Sequence, residues 1–319
     1  MADFESPREV PHGLRRENRV EKVATLRRAL EADEPLVLPG VADGLMARLV
    51  EQSGFDACYL TGAGVANLEY GLPDVGLIGL GEMTEQLRKV TGATSLPVVA
   101  DADTGYGGPL SVMRTMHEFE QGGVAGIQFE DQEIPKRCGH FDNKRVIPAE
   151  DMVSKILAAC AARTEDTVLI ARTDCLAVDG VSAAIDRAKL YRRAGADVLF
   201  VEAPQSVAQL EHIGRELAGT PLIVNVVEGA KTPELTADRL FELGFQVVLF
   251  ANFLLRVAAR AALDGLDVLR KKGSTAELSD RMITWGQRQS LVGLERADDL
   301  GDAFDASAYR LAHKEGHER

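Results

Sequence analysis

Cysteine is scarce in this chain of 319 residues: four are present, Cys58, Cys138, Cys160 and Cys175, far apart and without a CxxC pair. That spacing argues against a disulfide framework and against a structural zinc site. Basic charge is also in deficit. Lys and Arg total 36 against 49 Asp and Glu, a formal net charge of −13, the wrong sign for neutralising nucleic acid or an anionic membrane surface. Long hydrophobic runs are missing too. No stretch approaches the roughly 18 apolar residues of a membrane span, and Met1–Pro11 mixes acids and bases with no apolar run behind them. The expectation is a cytoplasmic protein with no nucleic-acid or membrane partner. No low-complexity segment or linker divides the chain. Its 45% hydrophobic and 27% charged residues suffice for a full core, read as one domain over residues 1–319.

Eight short apolar runs alternate with longer helical patterns. They are Leu36–Pro39, Ala57–Leu60, Pro97–Ala100, Gly126–Phe129, Thr167–Ala171, Val198–Val201, Leu222–Val224 and Gln246–Phe250. Their nearly continuous apolar character predicts parallel strands buried on both faces. Helices are expected at Ala42–Gln52, Gly81–Val90, Leu110–Gln121, Ala149–Arg163, Val181–Ala194, Ser206–Leu217 and Pro233–Leu243. Eight β/α units in about 220 residues point to an α/β fold of the (β/α)8 TIM-barrel type rather than an open sheet. A leading helix is expected over residues 15–32. Two further helices, Asn252–Lys272 and Thr275–Leu294, follow the last strand, and residues 275–319 form a C-terminal helical extension. A barrel needs only one helix there, so the second is expected to pack elsewhere, on a partner subunit. The polar tail from Asp298 reads as a frayed terminus.

In such a barrel the active site lies at the C-terminal ends of the strands. The residues there are polar: Thr61-Gly62-Ala63, Asp101-Ala102-Asp103, Glu130-Asp131, Arg172-Thr173-Asp174, Glu202 and Asn225, with Glu228 beyond. Asp101 and Asp103, two apart, point to one face if the strand continues that far. With Glu130 and Glu202 they would gather four carboxylates, which cost several kcal/mol if left unpaired in a desolvated pocket. A hard divalent cation, Mg2+ or Mn2+, resolves that charge; helix caps or rim ion pairs are the alternative. The loop after the fourth strand carries Lys136-Arg137-Cys138-Gly139-His140, a thiol between cations and an imidazole, placed to act as a lid. Cys58 and Cys160 read as small buried hydrophobes.

These segments, together with Leu72-Pro73-Asp74 and Asn225-Val226-Val227-Glu228-Gly229, resemble the isocitrate lyase and phosphoenolpyruvate mutase superfamily from about residue 15 to 290. Within it they are most similar to the 2-methylisocitrate lyases and to the 2,3-dimethylmalate lyase and petal death protein group. The resemblance implies a last barrel helix swapped between subunits, a homotetramer, and Mg2+ at Asp101 and Asp103, with Asp74 and Glu130 acting through metal-bound water. It implies that Thr61, Gly62 and Ala63 cradle a carboxylate, that Arg172 holds a carboxylate or keto oxygen, and that Glu202 and Asn225 orient the substrate. Cys138 would be the general acid, with Gly139 and His140 beside the substrate, and Tyr59 would position or deprotonate a hydroxyl. The implied activity is Mg2+-dependent cleavage of a 2-hydroxy di- or tricarboxylate, 2-methylisocitrate or a substituted malate, to an α-keto acid and a carboxylate.

Two positions depart from the lyases: Trp285 stands where they carry an arginine, and Ala251-Asn252 follow the eighth strand. A tricarboxylate would then need Arg256 or another cation in place of that arginine. The alternatives are an oxaloacetate hydrolase or decarboxylase, a phosphonopyruvate-type enzyme, or a non-catalytic metabolite-binding barrel.

Overall fold

A computed structural model describes residues 18–136 and 144–313, the last three by backbone alone. Contacts divide the chain into two compact units, Glu17–Ala261 and a second from Ala262 onward.

In the first unit, α1 (Arg19–Leu30) leads into β1 (Leu36–Val41), α2 (Gly44–Gln52), β2 (Cys58–Leu60), α3 (Gly62–Tyr70) and α4 (Leu80–Ala93). Then come β3 (Val98–Asp101), α5 (Pro109–Gln121), β4 (Gly126–Glu130), α6 (Ala149–Ala162), β5 (Val168–Thr173), α7 (Leu176–Asp179) and α8 (Val181–Ala194). The series ends with β6 (Val198–Val201), α9 (Val207–Glu216), β7 (Leu222–Asn225), α10 (Ala237–Glu242), β8 (Val247–Phe250) and α11 (Phe253–Lys272), which runs into the second unit. The strands close in sequence order into a parallel barrel, β8 pairing with β1 at Leu36 and Val247. This is the expected (β/α)8 fold.

The two-residue period of each strand explains both cores. Outward residues such as Leu60, Ala100, Phe129, Leu169, Leu199 and Val224 pack with the helices. Inward residues Leu36, Leu38, Val99, Ile170, Phe200, Ile223 and Val247 fill the barrel together with Val23, Leu26 and Leu30 of α1. Closure leaves no room for a side chain at Gly40, where a Cβ would sit 2.0 Å from the Ala251 carbonyl oxygen.

Three elements differ from expectation. Thr61 caps the Gly64 amide at 3.3 Å and starts α3, a helix absent from those expected above. The seventh outer helix starts at Ala237 rather than Pro233, because Thr236 caps the Arg239 amide. The second unit holds a 3-10 turn (Ala276–Arg281), α12 (Trp285–Leu291) and α13 (Leu294–His313), so the segment after Asp298 is helical, not frayed. Leu294, Ala297, Leu300, Phe304 and Ala308 recur at helical spacing in α13. Among the described residues no helix is long and apolar enough to cross a membrane.

Candidate active site

Read upward along each strand, the inward residues change from apolar to polar. Val99 is followed by Asp101, Ile170 by Arg172, Phe200 by Glu202, and Ile223 by Asn225, while on β4 Gly126 is followed by two polar residues, Gln128 and Glu130. The register places Asp101 beside Gln128, and Glu130 beside Arg172. A polar layer therefore caps the apolar barrel interior at its C-terminal end. One pocket there is lined by Tyr59, Thr61, Ala63, Asp74, Asp101, Glu130, Lys136, Arg172, Glu202 and Asn225, with Leu249, Ala251 and Asn252 as its less polar wall.

Asp101 and Asp103 come together as expected. Asp103 turns back through a left-handed backbone (φ 46°) and its amide donates to Asp101 Oδ1 at 3.0 Å. Both carboxylates face Gly62, whose absent side chain leaves them space. Lys136 reaches into the same acids: its Nζ pairs with Asp74 and lies 2.9 Å from Asp103 Oδ1. Burial works against that ammonium, yet Asp103, Glu130, Asp101 and Asp74 together raise its pKa. Burial pushes the Asp103 carboxyl up to about 6 against the pull of Lys136. Burial likewise raises Glu130, although Arg172 lies 3.4 Å away.

Arg172 is gripped at one edge by Asp174, from Nε at 2.9 Å and from Nη2 at 3.0 Å. Its guanidinium also stacks over the Phe200 ring at 5.3 Å. Glu202 is 3.9 Å from Arg172. Asn225 Oδ1 is buried and meets no hydrogen-bond partner among the described residues. At the opposite side, the amides of Gly62 and Ala63 open α3 and donate to no protein acceptor among the described residues, which suits an anion.

Tyr59 lines the pocket, but its hydroxyl donates to Gln128 Oε1 at 2.8 Å. Burial and the nearby Asp101 carboxylate hold that phenol protonated. Arg256 is exposed, bonds Glu228 and does not line the pocket. Cys138, Gly139 and His140 lie outside the described residues. Cys58 is buried in β2, and burial pushes its thiol up to about 12, in keeping with a core role.

The sequence reading missed Lys136 as a partner of the acids, and it missed the ionic layer behind Arg172. Glu130 and Arg172 point inward, so Asp131 and Thr173 must point out into the helix layer, where a carboxylate needs partners. Asp131 finds Thr173 Oγ1 and the Tyr191 hydroxyl at 2.7 Å each, and the Asp174 amide at 2.9 Å.

Residues 26–269 match the family model described as phosphoenolpyruvate phosphomutase. The chain belongs to this family. It is 38% identical over 278 residues to the 2,3-dimethylmalate lyase of Eubacterium barkeri, covering 87% of this chain and 96% of that protein. Identity to the 2-methylisocitrate lyase of Shewanella oneidensis is 39% over 277 residues, 86% of this chain and 94% of the relative. Among solved structures, oxaloacetate acetylhydrolase bound to 3,3-difluorooxalacetate superposes with a TM-score of 0.85 at 35% identity, covering 90% of this chain and 98% of that one. Phosphonopyruvate hydrolase in complex with oxalate and Mg2+ gives a TM-score of 0.79 at 28% identity, with 88% and 97% covered. With such relatives the chain is an enzyme, a carbon–carbon lyase of the methylisocitrate lyase type.

Proposed function

We propose that the enzyme uses Mg2+ to cleave the C2–C3 bond of a 2-hydroxy di- or tricarboxylate, 2-methylisocitrate or a substituted malate, releasing an α-keto acid such as pyruvate and a carboxylate such as succinate. The observation that carries this reading is the charge of the pocket. Among the described residues, Asp74, Asp101, Asp103, Glu130 and Glu202 gather there with Lys136 and Arg172, and five negative against two positive formal charges leave −3. A polycarboxylate would be repelled from such a pocket unless a cation accompanied it.

The donor set fits Mg2+. Asp101 and Asp103 offer hard oxygens side by side, and among the described residues no cluster of three or more ligating side chains encloses an ion. That is the open arrangement of an ion held by one or two carboxylates, with water and substrate completing its shell. Mn2+ would be accepted by the same oxygens. Asp101 and Asp103 would hold the ion, with Asp74 and Glu130 reaching it through water. When bound, it supplies charge stabilisation at the C2 oxygen and the α-carboxylate.

The other roles fall to residues around this pair. Amides of Gly62 and Ala63, with the Thr61 hydroxyl, receive a carboxylate at the start of α3. Arg172 takes a second carboxylate or the developing keto oxygen, while Glu202 and Asn225 orient the remainder, Asn225 Oδ1 as an acceptor. Transfer of the hydroxyl proton to a carboxylate of the pocket forms C=O at C2 as the C2–C3 bond electrons pass to the departing carboxylate fragment, which Cys138 then protonates. Gly139 and His140 belong with Cys138 at the substrate. Since Tyr59 is held protonated as a donor to Gln128, its part in this scheme is to position rather than to deprotonate.

We extend the proposal to the assembly, a homotetramer with helices exchanged between subunits. In support, α11 has no buried residue, and Val257, Leu263, Leu266 and Leu269 along it are 43–63% exposed, an apolar surface that a neighbouring copy would cover. The unpaired Cys58, Cys160 and Cys175 accord with a reducing, cytoplasmic setting.

Oxaloacetate hydrolysis is the second reading, favoured by the close superposition on oxaloacetate acetylhydrolase. A proton NMR time course with Mg2+ and 2-methylisocitrate, isocitrate, 2,3-dimethylmalate, oxaloacetate and phosphonopyruvate separates the two, run beside Cys138→Ser. A keto acid formed from one hydroxyacid, and absent in the variant, is expected. Turnover of oxaloacetate or phosphonopyruvate alone overturns the lyase reading.

A further inference from the structure

We propose that Asp174 and Lys144 act as a positioning pair for Arg172: Asp174 fixes which edge of the guanidinium meets the substrate, and Lys144 keeps that edge cationic. The inference rests on the reading of the pocket as a polycarboxylate site.

Arg172 carries five N–H donors in a planar fork. Asp174 takes the Nε and Nη2 edge in bidentate fashion, and Glu130 and Glu202 also approach Nε. Phe200 takes one face of the plane. Nη1 donates no hydrogen bond among the described residues, so the edge containing Nη1 is the one left to a substrate carboxylate. Asp174 can hold this orientation because it is itself held: it is fully buried, and its amide donates to Asp131 Oδ1.

This grip has an electrostatic consequence. A guanidinium already paired with one carboxylate is close to neutral and draws a second carboxylate weakly, all the more with Glu130 and Glu202 nearby. Lys144 answers that problem from behind. Its Nζ lies 2.7 Å from Asp174 Oδ1, in a pair that is 0–1% exposed. Lys144, Asp174 and Arg172 together carry a formal charge of +1, and the outermost member of the triad is Arg172, which lines the pocket. Lys144 does not line it, so its effect on substrate passes through Asp174. A purely structural role would be to fasten the end of β5, with no preference for anionic ligands.

The test compares Lys144→Met and Lys144→Arg with the wild type in the full-length protein. Removing one unit charge acting across less than about 10 Å at an effective dielectric near 20 should raise KM on the order of tenfold, with kcat changed by less than a few-fold. With Mg2+ present, the calorimetric Kd for oxalate, used as a dianionic probe, should weaken by the same factor. Lys144→Arg should restore both. Asp174→Asn, which loses one acceptor from the Arg172 fork, should lower kcat/KM further than Lys144→Met. Oxalate Kd and KM unchanged in folded Lys144→Met overturn the proposal, as does a wild type that binds no oxalate. Should Lys144→Met melt before it can be assayed, a Lys144→Gln variant with wild-type oxalate Kd is equally decisive. Oxalate bound normally by a wild type that cleaves no hydroxyacid would instead refute the lyase reading while leaving this one standing.

Discussion

Replacing Gly62 by alanine should separate the pocket from the fold. Gly62 is the first residue of α3 and its φ lies outside the positive range, so a methyl group meets no backbone penalty and adds at most about 0.5–1 kcal/mol of helix preference. The same methyl would lie 3.0 Å from Asp101 Oδ2, 3.5 Å from Asp101 Cγ and 3.6 Å from Asp103 Oδ1. Asp101 must then give way by a few tenths of an ångström, although its Oδ1 is held by the Asp103 amide at 3.0 Å and Gln128 Nε2 at 3.4 Å. Without metal the carboxylate can rotate at small cost. With metal it cannot, because overpacking of this kind costs about 1–3 kcal/mol, equivalent to a roughly fivefold to 150-fold loss of affinity. Gly62→Ala is therefore expected to melt within about 2 °C of the wild type while binding Mn2+, followed by electron paramagnetic resonance without substrate, at least about fivefold more weakly. A variant that binds Mn2+ as tightly as the wild type would refute the placement of the ion at Asp101 and Asp103; a variant that fails to fold would refute the claim that the close contact is confined to the pocket.

Three further outcomes follow from the geometry. Gly40→Ala puts a Cβ 2.0 Å from the Ala251 carbonyl oxygen across the β1–β8 closure, and because backbone must move it should cost at least about 3 kcal/mol in urea unfolding. Tyr59→Phe removes the donor to Gln128 and should lower stability by about 1 kcal/mol, yet keep turnover within tenfold with the alkaline limb of kcat unmoved; a loss of a thousandfold would restore the phenol as a base. Arg172 and Lys144 overcome the burial of Asp174 and hold its carboxyl at about 2, below its ordinary 3.8. A depressed carboxylate stabilises above its unfolded pKa and ceases to as pH falls through the folded one, so the stability gap between wild type and Asp174→Asn should shrink by about 2 kcal/mol between pH 5 and pH 2. A gap independent of pH would show that the ion pair contributes nothing through charge.

The barrel was legible because each strand is an apolar run buried on both faces, and a run such as Val198–Val201 needs no partner to declare itself. The site was legible for a related reason. Strands have a period of two, so the first polar residue after an apolar run, at Asp101, Arg172, Glu202 or Asn225, has to face the mouth. The period fails where secondary structure is set by caps. Thr61-Gly62-Ala63-Gly64 begins a helix through the Thr61 hydroxyl, while glycine content alone argues for a turn.

Pairings between charged groups far apart in sequence are different in kind. Lys136 meets Asp74 across 62 positions and Lys144 meets Asp174 across 30, and no local pattern encodes either separation. What the sequence does contain is the need for such partners. Asp131 follows inward Glu130 on β4, so its carboxylate must end in the helix layer, and Asp174, just past the end of β5, is buried as well. Burying either one unpaired would cost several kcal/mol. For Asp131 the requirement for a nearby partner can thus be derived from strand alternation alone, whereas for Asp174 both the burial and the partner need coordinates. In this barrel they come from Lys144 and Arg187, together with Arg172 itself. The arginine that faces the pocket is thereby part of the same ionic layer that holds the end of its strand, so a substitution in that layer should show first in how the pocket binds carboxylates, and only then in whether the barrel folds.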